Sequence, residues 1–243
     1  MHNDDEMVGR LLSRRELVAL FGASAVAAMG HRLSGQVPKG QTALPSCVVS
    51  PQQTEGPYFV DEKLLRSDIR VDPSNGATKP GAPLALTLLV TRVESNDAKC
   101  IPVSNAQVDI WQCDAMGAYS DVKDRMFDTS GQKFLRGHQI TDASGTVNFV
   151  TIYPGWYPGR AVHIHFKVRM PSAGGAREFT SQFYFDEKLT DRVFAREPYS
   201  THTGQRTPNE RDGIYRQGGS QLLLPVTERG DGYAATFAVG MKT

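Results

Sequence analysis

A chain of 243 residues with 40% hydrophobic and 22% charged side chains has the balance of an ordinary globular protein, and enough length to bury a core without staples. Its formal net charge of +1 makes no electrostatic case for nucleic acid or an anionic membrane as a partner. Its 23 glycines and 14 prolines cut the second half into short segments, which favours strands and turns over long helices.

In chain order, Ser13-Arg14-Arg15 precede an apolar, alanine-rich stretch over 17–29 that is too short and too rich in small residues to make a good membrane span. Paired arginines, a short apolar region and small residues match a twin-arginine export signal, with cleavage near Ala28. The expected organisation is a signal peptide over 1–30, a Gly/Pro/Ser-rich linker over 31–46 and one folded domain over 47–243. The expected partner of the N-terminus is the twin-arginine export machinery, and the expected location is periplasmic or secreted. A disulfide persists there. Cys47–Cys100 is the expected bridge, leaving Cys113, in a strand beside the candidate site, as a buried thiol.

Strands are expected over 84–90, 107–113, 146–152, 162–170, 180–185, 221–226 and 233–239, and one short helix over 187–196. In the second of these, Val108, Ile110 and Gln112 alternate with Asp109, Trp111 and Cys113. Many short strands separated by turn residues predict an all-β protein, a β-sandwich of mainly antiparallel strands with long active-site loops and little helix.

The chemistry centres on His163-Ile164-His165. In a strand, residues i and i+2 share a face, so both imidazoles enter one pocket while Val162, Ile164 and Phe166 turn to the core. Alone, such a pair is equally two satisfied polar residues on an exposed face. Just upstream, a loop with two Pro and two Gly carries Tyr157 and Arg160 towards the histidines, and Tyr119 follows Gly117 beyond the Trp111 strand. A phenol ionises near pH 10 and ligates poorly when neutral, but a trivalent cation favours the phenolate. Two phenolates and two imidazoles form a hard oxygen and nitrogen set suited to Fe(III). His138 and His202 read as loop or surface residues, Asp114 and Asp121 as turn residues, and Trp111 and Trp156 as packing.

The stretches TEGPYF (54–59), VDIWQCDAMGAYSD (108–121), LRGHQITDASGTVNFVTIYPGWYPGRAVHIHFKV (135–168) and TSQFYF (180–185) resemble, in the same order, the intradiol ring-cleavage dioxygenases. That resemblance implies one iron(III) per chain held by Tyr119, Tyr157, His163 and His165. It also implies a charge-stabilising Arg160, a supporting Gln182 and Tyr58 lining the substrate pocket. The implied activity is cleavage of a catechol-type ring by O2 between its hydroxylated carbons, giving a muconate-type diacid. Only five residues separate Tyr157 from His163, fewer than in familiar members, which leaves Tyr153 as the alternative second tyrosine. The competing readings are an exported, non-catalytic β-sandwich binding module and a copper or zinc enzyme built on the two histidines. The latter gives the tyrosines no role.

Overall fold

The computed structural model describes residues 48–93, 100–172 and 175–242. The expected signal peptide, the linker and Cys47 lie outside the described residues. Cys100 is disulfide-bonded, while Cys113 is buried and free. Cys47, the partner expected for Cys100, falls outside this range.

Two sheets pack face to face. In the first, β1 (Pro83–Val93) pairs antiparallel with β2 (Cys100–Pro102) and β5 (Thr146–Ile152), and parallel with β9 (Gly232–Lys242), which also holds β8 (Thr227–Arg229). In the second, the order is β4 (Arg136–Ile140), β3 (Gln107–Trp111), β6 (His163–Ser172), β7 (Gly175–Tyr184), antiparallel throughout. The expected β-sandwich of mainly antiparallel strands is therefore the observed one, with the β1–β9 pair as a parallel exception.

Alternation decides which side of each strand is buried. Leu84, Leu86, Leu88 and Val90 of β1 meet Val108 and Ile110 of β3 and Ile164, Phe166 and Val168 of β6 in one apolar cluster. Phe166 stacks on Phe183 of β7 with ring centroids 4.2 Å apart, an arrangement worth about 0.5–1.5 kcal/mol beyond area burial. The opposite face of the second sheet is left with Trp111, His163, His165, Gln182 and Tyr184. Register places Trp111 opposite His165, His165 opposite Gln182 and His163 opposite Tyr184. This face is not open to water. The segment 48–82, the β3–β4 connection and the β5–β6 connection lie over it, and Trp111, His163, His165 and Gln182 are all at most 2% exposed.

The helix α1 (Glu187–Phe194) begins where Asp186 accepts the Leu189 N–H at 2.8 Å, an N-cap that satisfies one of the free amides of the first turn. Two expectations fail here. The predicted strand over 221–226 is instead a 3-10 turn (Gly219–Leu222) followed by extended chain that joins Tyr184 only through the isolated bridge of Leu223. His138 lies in strand β4, not in a loop. That strand escapes a periodicity reading because glycine and polar residues fill it: its buried end, Arg136, is stabilised by donation to Ser120 and Tyr58 instead of by apolar packing.

Candidate metal centre

Three local structures place the four predicted ligands. His163 and His165 open β6 on one face, opposite the face on which Ile164 and Phe166 join the core. Tyr119 sits in the β3–β4 connection. Asp114 starts the turn that leads to it by accepting the Met116 and Ala118 N–H groups, both at 3.0 Å. Gly117, at φ +86°, lets that turn pass Trp156: a Cβ there would lie 2.3 Å from the Trp156 carbonyl oxygen. Thr129 donates to the Tyr119 carbonyl, and Arg136 donates through Nε to the Ser120 hydroxyl at 2.7 Å, so the backbone around Tyr119 is fixed from two sides. Tyr157 comes from the Pro/Gly loop between β5 and β6.

The side chains converge. His163 Nε2 lies 3.0 Å from His165 Nε2, 3.3 Å from the Tyr119 hydroxyl and 3.3 Å from the Tyr157 hydroxyl. His163 Nδ1 is 2.6 Å from the Ala161 carbonyl oxygen. A carbonyl only accepts, so the ring proton belongs on Nδ1 and Nε2 turns its lone pair to the cluster. Burial and the neighbouring Arg160 charge push the His163 pKa down to about 3, and burial pushes His165 well below the usual range. Both imidazoles are neutral, as ligands must be. Burial likewise raises Tyr119 well above the ordinary phenol range and Tyr157 to about 12, the latter opposed by Arg160. Without a cation, both phenols keep their protons.

The four donor atoms fit a small metal ion. Bonds of about 2.0–2.1 Å to nitrogen imply neighbouring ligand atoms roughly 2.9–3.4 Å apart, the spacing seen around His163 Nε2. The donor set carries no formal charge until the phenols ionise, which a highly charged hard cation promotes. Among the described residues no group of three or more His, Cys, Asp or Glu is placed to bind a metal. This site depends on its tyrosines.

The two tyrosines of the loop lie on different sides of the sheet. Tyr153 is fully buried on the core side, its hydroxyl 2.7 Å from the Thr190 hydroxyl and its ring against Phe185 at 4.3 Å. It does not reach the cluster. Arg160 does: Nη1 is 3.4 Å from the Tyr157 oxygen and 3.5 Å from His163 Nε2. Gln182 accepts Arg160 Nη2 at 2.5 Å and donates to the Thr54 carbonyl at 2.9 Å. Tyr58 stacks on Tyr119 at 4.6 Å and meets Tyr157 edge-on at 6.0 Å, with its hydroxyl donated to Asp124 at 2.8 Å.

Residues 54–206 match the sequence model of the Dioxygenase family. Over 180 residues the chain is 31% identical to the protocatechuate 3,4-dioxygenase beta chain of Burkholderia cepacia, covering 70% of this chain and 71% of that one. Over 156 residues it is 32% identical to catechol 1,2-dioxygenase 2 of Acinetobacter lwoffii, covering 56% of this chain and 51% of that one. The solved intradiol ring-cleavage dioxygenase of Tetranychus urticae superposes with a TM-score of 0.68 at 32% identity, over 81% of this chain and 95% of its own. The chain belongs to the intradiol ring-cleavage dioxygenases.

As a member of this family it is an oxidoreductase that acts on catechol-type rings with O2. The sandwich gives the dioxygenase a rigid floor, and the loops supply the tyrosines and the mouth of the site. Sequence reasoning missed several supporting residues. Gly56, at φ +74°, allows the N-terminal segment close to the site, since a Cβ there would stand 3.3 Å from His165 Cε1. Arg136 clamps the Tyr58 and Ser120 carbonyls. His202, expected at the surface, stacks on Trp156 at 4.2 Å and 12°, with Nδ1 buried; desolvation lowers its pKa. An imidazole beside a Trp in a turn-rich chain has no sequence signature, so only the fold reveals that packing.

Proposed function

We propose that this dioxygenase binds one iron(III) through Tyr119, Tyr157, His163 and His165, and cleaves a catechol-type diol between its two hydroxylated carbons to a muconate-type diacid. The observation that carries this reading is the convergence of three donor atoms within 3.3 Å of His163 Nε2. Iron(III), when bound, supplies Lewis acidity and an electron-accepting centre for the catecholate. Everything else belongs to the chain. His163 is oriented by the Ala161 carbonyl, and His165 by the flat face of Trp111, 4.9 Å away. Tyr119 is fully buried, whereas Tyr157 is partly exposed on a loop. Tyr157 is therefore the phenol with room to move, and it would make way for a substrate oxygen. The Arg160 guanidinium faces that position and stabilises negative charge developing on the ring. Purified protein should contain one iron per chain and show a visible tyrosinate-to-iron absorption band. Colourless or blue protein saturated with zinc or copper, which iron cannot reconstitute, overturns the reading.

The N-terminal pattern supports a second proposal, export by the twin-arginine route with the chain already folded. It rests on Arg14 and Arg15 immediately before the apolar stretch.

A further inference from the structure

We propose that Asp212 is the positioning residue of the site, holding Arg160 so that one edge of its guanidinium faces the substrate; this rests on the role proposed above for Arg160. Asp212 lies beyond residues 54–206 matched by the family and in no strand. It follows the short turn Asn209–Arg211 and is 1% exposed. An acidic side chain is almost never buried without partners, and one oxygen of this carboxylate is given over to Arg160 and Ala161, beside the site. Oδ2 accepts Arg160 Nε at 3.0 Å and the Ala161 N–H at 2.9 Å. Oδ1 accepts the Ile214 N–H at 2.7 Å, which locks the carboxylate plane. Burial opposes ionisation of Asp212, but the Ala161 N–H and the Arg160 charge outweigh it and hold its pKa below the ordinary carboxylate range.

The guanidinium is thereby gripped at two of its three nitrogens. Nε is held by Asp212 and Nη2 by Gln182, whose Oε1 is itself fixed by the Tyr184 hydroxyl at 3.2 Å. Only Nη1 makes no short contact; its two neighbours, at 3.4 and 3.5 Å, are the Tyr157 oxygen and His163 Nε2. The free donors are thus aimed at the place where the substrate's charge develops. Without Asp212, a long and flexible arginine regains rotamer freedom, and preorganisation of this kind is worth most when the donor does not need to move during reaction. The same carboxylate holds the N–H of Ala161, the residue whose carbonyl orients His163. Gln182 cannot replace it, since its amide oxygen carries no charge.

The test pairs Asp212→Asn with Arg160→Ala. Asn keeps a carbonyl for the Ala161 N–H, and the acceptor of His163 Nδ1 is Ala161 itself, so iron content should stay at wild-type level. The kcat should fall by about 10–100-fold, the size typical of losing a partner that orients a site group, with KM changing less. In the double variant, Asp212→Asn should cost nothing beyond Arg160→Ala; multiplicative losses would show that Asp212 acts independently and overturn the inference. A second measurement does not use turnover. In metal-free, 15N-labelled protein, the Arg160 Nε–H should exchange slowly with solvent, and at least about 10-fold faster in Asp212→Asn. Unchanged exchange overturns the contact. If Arg160→Ala retains full kcat, the role given to Arg160 fails, while the exchange arm still decides whether Asp212 holds it. Should Asp212→Asn not fold, Asp212→Glu carries the same measurements.

Discussion

Trp111 lies flat on His165, with ring centroids 4.9 Å apart and planes 6° from parallel. The two are register partners on β3 and β6, so the contact is set by the sheet and not by a loop. His163 is oriented by a hydrogen bond at Nδ1, but the buried Nδ1 of His165 has no partner among the described residues. Packing against Trp111 does for His165 what a carbonyl does for His163. Trp111→Leu keeps an apolar residue but removes the flat face. It should weaken iron binding by about 10–100-fold, as loss of an orienting partner does, and should destabilise the protein by a few kcal/mol, on the order of a buried Trp truncation. Chelator competition against wild type reads the first effect and thermal melting the second. An unchanged chelator midpoint removes Trp111 from the site.

The legible parts of this protein were those whose chemistry and backbone period coincide. His163 and His165 share a face because a strand has period two, and Val108, Ile110, Ile164 and Phe166 mark the same faces by being apolar. Turn residues flanking a β-branched run mark the bounds of Thr146–Ile152. What stayed hidden was long-range. Asp212 is 52 residues from Arg160 in a segment of turns, and no local pattern distinguishes it from the neighbouring exposed charges. No local pattern marks Arg136, whose role comes from the distant Tyr58 carbonyl and the Ser120 carbonyl around it. The resemblance favours Tyr157 over Tyr153, and the fold sets them apart, since one faces Thr190 and the other His163.

Asp109 offers a test of electrostatics away from the metal centre. It is buried on β3, with Gln107, Asp61, Lys167, Arg169 and, across the register, His138 around it. Burial raises its carboxyl to about 6, outweighing Arg169, which is 3.6 Å away. A carboxyl whose folded pKa lies above its unfolded value supports folding below pH 4, and that support is lost as pH rises through about 6. Asp109→Asn should therefore gain on wild type, by an amount on the order of 1–3 kcal/mol, between pH 4 and pH 7. Urea melts at both pH values check this. A constant difference between the two proteins contradicts it.

Export should depend on Arg14 and Arg15. Replacing both with Lys keeps the charge but removes the pair that the receptor reads, so the protein should accumulate in the cytoplasm in folded form. Undiminished translocation of the double variant removes the twin-arginine assignment and leaves the folded domain's chemistry untouched.

The two tyrosines of the β5–β6 connection give the sharpest contrast. Tyr157→Phe removes one of the three donors around His163 Nε2, so it should retain part of the iron and shift the visible absorption, because one phenolate remains. Tyr119→Phe should lose more iron, since Tyr119 is fully buried and its hydroxyl is replaced by nothing in a closed site. Tyr153→Phe breaks only the hydrogen bond to Thr190, whose hydroxyl still donates to the Asp186 carbonyl at 2.8 Å. It should cost about 1 kcal/mol of stability and leave iron content, spectrum and turnover at wild-type values. Metal analysis and absorption of the three variants, measured side by side, separate the roles. A Tyr153→Phe spectrum that shifts while that of Tyr157→Phe does not would transfer the ligand to Tyr153, and would require the loop between Ile152 and His163 to rearrange when iron binds.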